Sequence, residues 1–240
     1  MNNELYKCFF KHGYNCKNIK PQEEFKLECN RFSLIAKKHL LDCQKTYSAL
    51  ISNIKRKEYS TGGELLPRGF YCPSPIYDIV TGNCKRGKLL KRVTSRSKPT
   101  YEYCFDKDNK LVVVNHLYNN SSEILEYMGN VVRGITFTKE KDVEITSVTE
   151  CEYDTNRRIV SFISADSSFN DCHMDHLQKE IYLYNQEGLC KAEMFDYFDG
   201  IIDYCRYSFK HDDDGCLSEY EVDTPLFEND IYKISVKRRV

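Results

Sequence analysis

From Pro21 to Ile54, apolar residues recur in steps of three and four: Phe25, Cys29, Phe32, Ile35 with Ala36, Leu40, Cys43, Tyr47, Leu50 with Ile51, and Ile54. That spacing places one apolar stripe on one face of a helix. Pro21 ahead of Gln22, Glu23 and Glu24 suits a first turn, where proline costs no hydrogen bond and acids meet the positive end of the dipole. Lys55, Arg56 and Lys57 suit a last turn, and Gly62-Gly63 stop the pattern. The spacing predicts one long helix over 21–57, about 50 Å if unbroken. It is expected to lie across a sheet, with a partner-contact surface as the rival use.

Residues 60–76, STGGELLPRGFYCPSPI, hold three of the six prolines and three of the eleven glycines, which marks a loop between helix and sheet. Beyond it the period falls to two. Ile145, Ser147, Thr149, Cys151 and Tyr153 alternate with Thr146, Val148, Glu150 and Glu152, as the two faces of a strand do. Between such runs lie short polar clusters, each entered from an aromatic and left through an aliphatic residue: Phe105-DKDNK-Leu111, Tyr153-DTNRR-Ile159, Tyr184-NQEG-Leu189 and Phe209-KHDDDGC-Leu217. Shorter versions are Tyr127-MGN-Val131 and Phe198-DG-Ile201. Asp, Asn and Gly supply the positive φ and local hydrogen bonds of tight hairpins. Asp212, Asp213 and Asp214 therefore read as a turn. A calcium loop needs acids at alternate positions and a distal glutamate in register, which DDDG does not offer. The expected fold is α+β, a long N-terminal helix packed against an antiparallel meander of successive hairpins. Its segments are 1–60 (helical), 61–100 (loop and first strands) and 101–240 (hairpin region), forming one unit.

The units YCFDKDNKL, EYDTNRRI, YLYNQEGL and FKHDDDGCL resemble the YD-type repeats of Rhs proteins and the MORN-like repeats of some bacterial antitoxins, over roughly residues 101–220. Their spacing is less regular than a YD array. The resemblance implies a repetitive β surface and no site residues of its own. In antitoxin and immunity proteins such a surface sequesters a partner.

Composition narrows the options. The 35 basic and 36 acidic side chains leave a net charge of −1, so no global attraction to nucleic acid or anionic membrane arises. No apolar run approaches the roughly 20 residues of a membrane span, and MNNELYKCFFKHGYNCK lacks a signal peptide's apolar core. The expectation is a soluble cytoplasmic protein that uses no membrane and no cofactor. Twelve cysteines without a single CxxC spacing, several of them within apolar-periodic runs, read as reduced structural thiols.

Three groups of residues carry candidate chemistry. Asp171-Cys172-His173-Met174-Asp175-His176 holds the densest set of metal-ligating types, with Cys172, His173 and His176 as candidate zinc ligands; a polar loop between strands is the plainer reading. Lys85, Arg86, Lys88, Lys91, Arg92, Arg96 and Lys98 form a basic stretch that can neutralise phosphates or dock an acidic partner, or simply stand in solvent. Eighteen tyrosines and no tryptophan suit a sheet face used for protein binding. Tyr182, Tyr184, Tyr204 and Tyr207 are the candidates for it; alternation puts Tyr182 and Tyr184 on one face, and Tyr204 and Tyr207 on opposite faces.

No phosphate-binding glycine loop, GxSxG, HExxH or dinucleotide fingerprint occurs in the sequence. The expected function is therefore non-catalytic protein binding, with an immunity or antitoxin role against a toxin-like partner as the specific form. The alternatives are a metal-dependent hydrolase or nuclease using residues 171–176, and a nucleic-acid-binding module using residues 85–98.

Overall fold

The computed structural model describes residues 19–80, 85–94, 96–139, 142–168, 172–223 and 232–235. Within it the N-terminal apolar stripe is helical, but in two pieces: α1 spans Ile19–Leu40 and α2 spans Cys43–Ser52. Between them Leu41 stands in solvent, 93% exposed, and the Asp42 amide donates to the His39 carbonyl at 3.2 Å, a tighter turn than an α-helix makes. Helix α1 buries Phe25, Cys29, Phe32 and Ala36, and α2 buries Cys43, all in one core. Both helices face the same sheet, so the stripe runs on through the break and periodicity does not reveal it. The single helix expected over 21–57 is corrected on this point. Its basic end is corrected too, because Arg56–Thr61 is the first strand, β1. There Arg56 lies over the Phe105 ring at 3.7 Å, and Lys57 pairs with Glu102 at 3.1 Å.

The other strands are β2 (Lys88–Leu89), β3 (Tyr101–Phe105), β4 (Leu111–His116), β5 (Ser121–Met128), β6 (Val131–Thr138), β7 (Ile145–Tyr153), β8 (Ile159–Asp166), β9 (His176–Tyr184), β10 (Leu189–Phe198), β11 (Ile201–His211), β12 (Leu217–Asp223) and β13 (Tyr232–Ser235). They form one antiparallel sheet in the order β13 to β3 without a crossover, followed by β1 and then β2 at the edge. The polar clusters are hairpin turns of one design. In each, the first residue's side-chain oxygen accepts two backbone amides: Asp106 from Asp108 and Lys110, Asp154 from Asn156 and Arg158, Asn185 from Glu187 and Gly188, and Asp212 from Asp214 and Cys216. The fourth residue has positive φ, whether Asn109, Arg157, Gly188 or Gly215. The DDDG aspartates are thus a turn.

Both faces of the sheet are covered. On one, α1 and α2 pack on Ile124, Ile135, Phe137, Val148, Ala165, Leu177, Phe195 and Tyr204. On the other, a strap of residues 62–80, ending in the short helix α3 (Tyr77–Val80), crosses the strands and buries Ile76 against Cys151, Phe162, Tyr182 and Tyr207. Arg68 anchors the strap. Its guanidinium is buried and donates to both Glu123 carboxylate oxygens (2.8–2.9 Å) and to Thr149 (2.8 Å). Tyr103 donates its hydroxyl to the Arg68 carbonyl, and Ser74 donates to the fully buried Glu180 at 2.6 Å. Every described cysteine is a free thiol, and six of them are buried; Cys8, Cys16 and Cys84 lie outside the described residues. Among the described residues no helix is long and apolar enough to cross a membrane.

Candidate partner-binding site

The β10–β11 hairpin turns in two residues, Asp199 (φ 48°) and Gly200 (φ 79°), the left-handed pair that matches strand twist. Phe198 and Ile201 face each other across it. Both are large and apolar, yet they are 50% and 57% exposed. Pairing continues outward from Phe198 to His176 on β9 and from His176 to Asp166 on β8, so four neighbouring strands set Asp166, His176, Phe198 and Ile201 in one row. One step along the strands on the same face, Asp196 lies opposite Asp203.

The row is held tightly. His176 Nε2 bonds Asp196 at 2.8 Å, its Nδ1 lies 3.9 Å from Asp166, and its ring meets the Phe198 ring edge-on at 6.0 Å. The Asp196 bond raises the His176 pKa above its ordinary 6.5, with Asp166 and Asp175 adding to it. Desolvation raises Asp166, and it also raises Asp203, where the neighbouring charge of Asp196 adds. Asp166 and Asp196 thus share one imidazole, and Asp203 lies across the ladder from Asp196 as a further carboxylate. Behind the turn, Gln22 of α1 donates to the Gly200 carbonyl at 2.8 Å. Beside it opens a recess of about 600 Å³ with Phe198 and Gly200 on its lip, and with Lys26, His173, Asp175 and Asp199 also on its wall. Cys29 lines the same recess, but burial pushes its thiol up to about 11, so it supplies no thiolate nucleophile near neutral pH. The recess opens on the helix side of the turn, whereas the Phe198–Ile201 pair and its acids lie on the strap side; an apolar anchor beside acids is suited to gripping a basic partner.

The tyrosines expected to form an exposed binding face do not form one. Tyr182 is 2% exposed and donates to Glu180 at 2.5 Å, Tyr204 is 1% exposed against Phe195, and Tyr207 is buried and stacked with Phe209. Tyr184 is half-buried beneath the Arg158 guanidinium. The expectation assumed one solvent-facing side of the sheet; helices and strap leave neither side open over these strands. Tyr204 and Tyr207 do lie in the two different cores.

The metal candidates do not converge. His176 faces the strap side, Cys172 is buried in the helix-side core, and His173 lines the recess. Asp171 lies outside the described residues. Among the described residues no group of three or more His, Cys, Asp or Glu side chains is placed to hold a metal. The basic stretch loses Arg86, which turns inward to donate to the carbonyls of Cys72 and Ser74. Lys85, Lys88, Lys91, Arg92 and Arg96 stand exposed on and beside β2, at the sheet edge.

Sequence reasoning passed over the Asp166–His176–Asp196 cluster and the Phe198–Ile201 pair. The signal for the pair was present in Phe198-DG-Ile201, because a two-residue turn flanked by two large apolar residues leaves both near the sheet's rim. The cluster joins residues of three strands and has no local signature. Comparison of the chain with protein-family models and with curated proteins finds no match.

Proposed function

We propose that the chain is a non-catalytic protein-binding protein that captures a basic partner at the β10–β11 corner, and that an immunity or antitoxin role against a toxin is its specific form. The observation that carries this reading is the exposed Phe198–Ile201 pair, set among Asp166, Asp196, Asp199 and Asp203. Apolar side chains on a fixed hairpin lose little entropy on binding, and unbalanced carboxylates gain a counter-charge from a cationic partner. Immobilised wild-type chain is expected to retain a basic protein from cells that produce both, and the Phe198→Ala/Ile201→Ala variant to lose it. Equal retention by a folded variant contradicts the reading.

A second reading has its own support. Lys88, Lys91, Arg92 and Arg96 make no ion pair with a described carboxylate, and they cluster at one edge of the sheet in a chain whose net charge is −1. That edge suits nucleic acid or an acidic protein. Retention on immobilised RNA or DNA that falls steeply with salt, and that is lost on replacing Lys91 and Arg92 by Glu, favours it.

A further inference from the structure

At the opposite end of the sheet, below the strap, lies a groove of about 800 Å³, within the range typical of small-molecule sites. Its floor comes from the strands: Leu125 of β5 is buried, and Val132 of β6 is packed in the strap-side core. Three tyrosines wall it, each from a different element: Tyr71 from the strap, Tyr127 from β5 and Tyr153 from β7. Tyr127 is fixed by donating its hydroxyl to the Leu111 carbonyl at 2.8 Å, and Tyr71 by its bond to Glu58 and its edge-on contact with Tyr103.

The polar groups around this apolar slot are unequally matched. Arg68 at its back is neutralised by Glu123. Asp154 on the rim spends its oxygens on its own turn, accepting the Asn156 and Arg158 amides and the Arg158 guanidinium. Lys110 and Arg157 remain. Both are exposed on hairpin turns at the rim, and neither has an ion-pair partner among the described residues. Lys110 stands 5.2 Å above the Tyr127 ring, so the cation overhangs the slot.

We infer that this groove is a binding site for a small aromatic carboxylate, its ring seated among Tyr71, Tyr127 and Tyr153 on Leu125 and Val132, and its anionic head held by Lys110 or Arg157. The site is separate from the β10–β11 corner and does not rest on the partner reading. The volume of about 800 Å³ between strap and turns matches a small flat molecule. A cationic ligand of the same shape meets Lys110 and Arg157 as like charges, so the sign of the head group is the sharpest discriminator.

Calorimetric titration with 2-naphthoate and with the cation 2-naphthylmethylamine tests this on the full chain. A single naphthoate site is expected, with the amine about tenfold weaker or worse. Val132→Trp, which fills the floor, is expected to abolish it. Lys110→Gln with Arg157→Asn is expected to weaken it about tenfold; asparagine suits the left-handed turn position that Arg157 occupies at φ 62°. Equal binding of the two probes, no binding of naphthoate, or full binding by the charge-removed variant overturns the inference. The charge-removed variant decides the matter if Val132→Trp fails to fold, since both its changes are on exposed turns.

Discussion

Gly134 lacks a side chain because three others, those of Glu123, Thr149 and Arg68, occupy the space. A Cβ there overlaps the Glu123 carboxylate and comes within 2.7 Å of the Arg68 guanidinium, the buried pair that anchors the strap. Gly134→Ala is expected to cost about 3 kcal/mol in denaturant unfolding, as breaking a buried pair does; a change within about 0.5 kcal/mol counts against the anchoring role. The glycine inside VVRGIT is legible as a point of close approach. What approaches it is not, because Arg68 sits in an irregular segment far away in sequence. Glu180 offers a second test. Burial raises its pKa despite the bonds from Ser74, Tyr182 and Gln178. The folded state thus holds the proton more tightly than the unfolded chain, so Glu180's contribution is fully present below the ordinary 4.5 and is lost as pH rises through the raised folded value. Glu102 and Glu150 have lowered values and act in the opposite direction, losing their contribution as pH falls. The comparison is therefore between variants: stability of Glu180→Gln relative to wild type is expected to improve as pH rises from about 4 to 7. A constant difference argues that Glu180 titrates normally.

The hairpins are the elements most legible in the sequence, because each turn is specified within five residues. Asp212 does the structural task, accepting the amides of Asp214 and Cys216, while Asp213 points into solvent. Asp212→Ala is expected to cost about 1 kcal/mol, and Asp213→Asn to stay within about 0.5 kcal/mol. Equal costs, or melting that depends on calcium, contradict the turn. The helix break and the strap were hidden for different reasons. Helices α1 and α2 present one continuous stripe to one sheet, so nothing in the period marks Leu41-Asp42. The strap has no period at all. Its course is set by distant side chains: the Glu123 carboxylate accepts from the Arg68 guanidinium, and the Tyr101 and Tyr103 hydroxyls donate to its carbonyls at Gly63 and Arg68.

For the whole molecule, the strap changes what the sheet can present. With both faces packed, the tyrosines at positions 182, 204 and 207 become core, and contact surfaces move to the ends and edges. That shift accounts for the misplacement of the candidate site, since alternation reports which residues share a face and not whether that face meets water. At the β10–β11 corner, His176 carries the compensating charge for Asp166 and Asp196, and its raised pKa means it loses that charge above 6.5. A basic partner is therefore expected to bind more tightly as pH rises through the His176 titration, and a His176→Gln variant to show a flatter profile. The most direct test of the corner is the affinity of the captured partner for wild type and for Phe198→Ala/Ile201→Ala, each checked by its thermal midpoint. The predicted result is a loss on the order of 3 kcal/mol in binding, with the midpoint shifted by no more than about 4 °C. Unchanged affinity in the folded double variant contradicts a partner site at this corner.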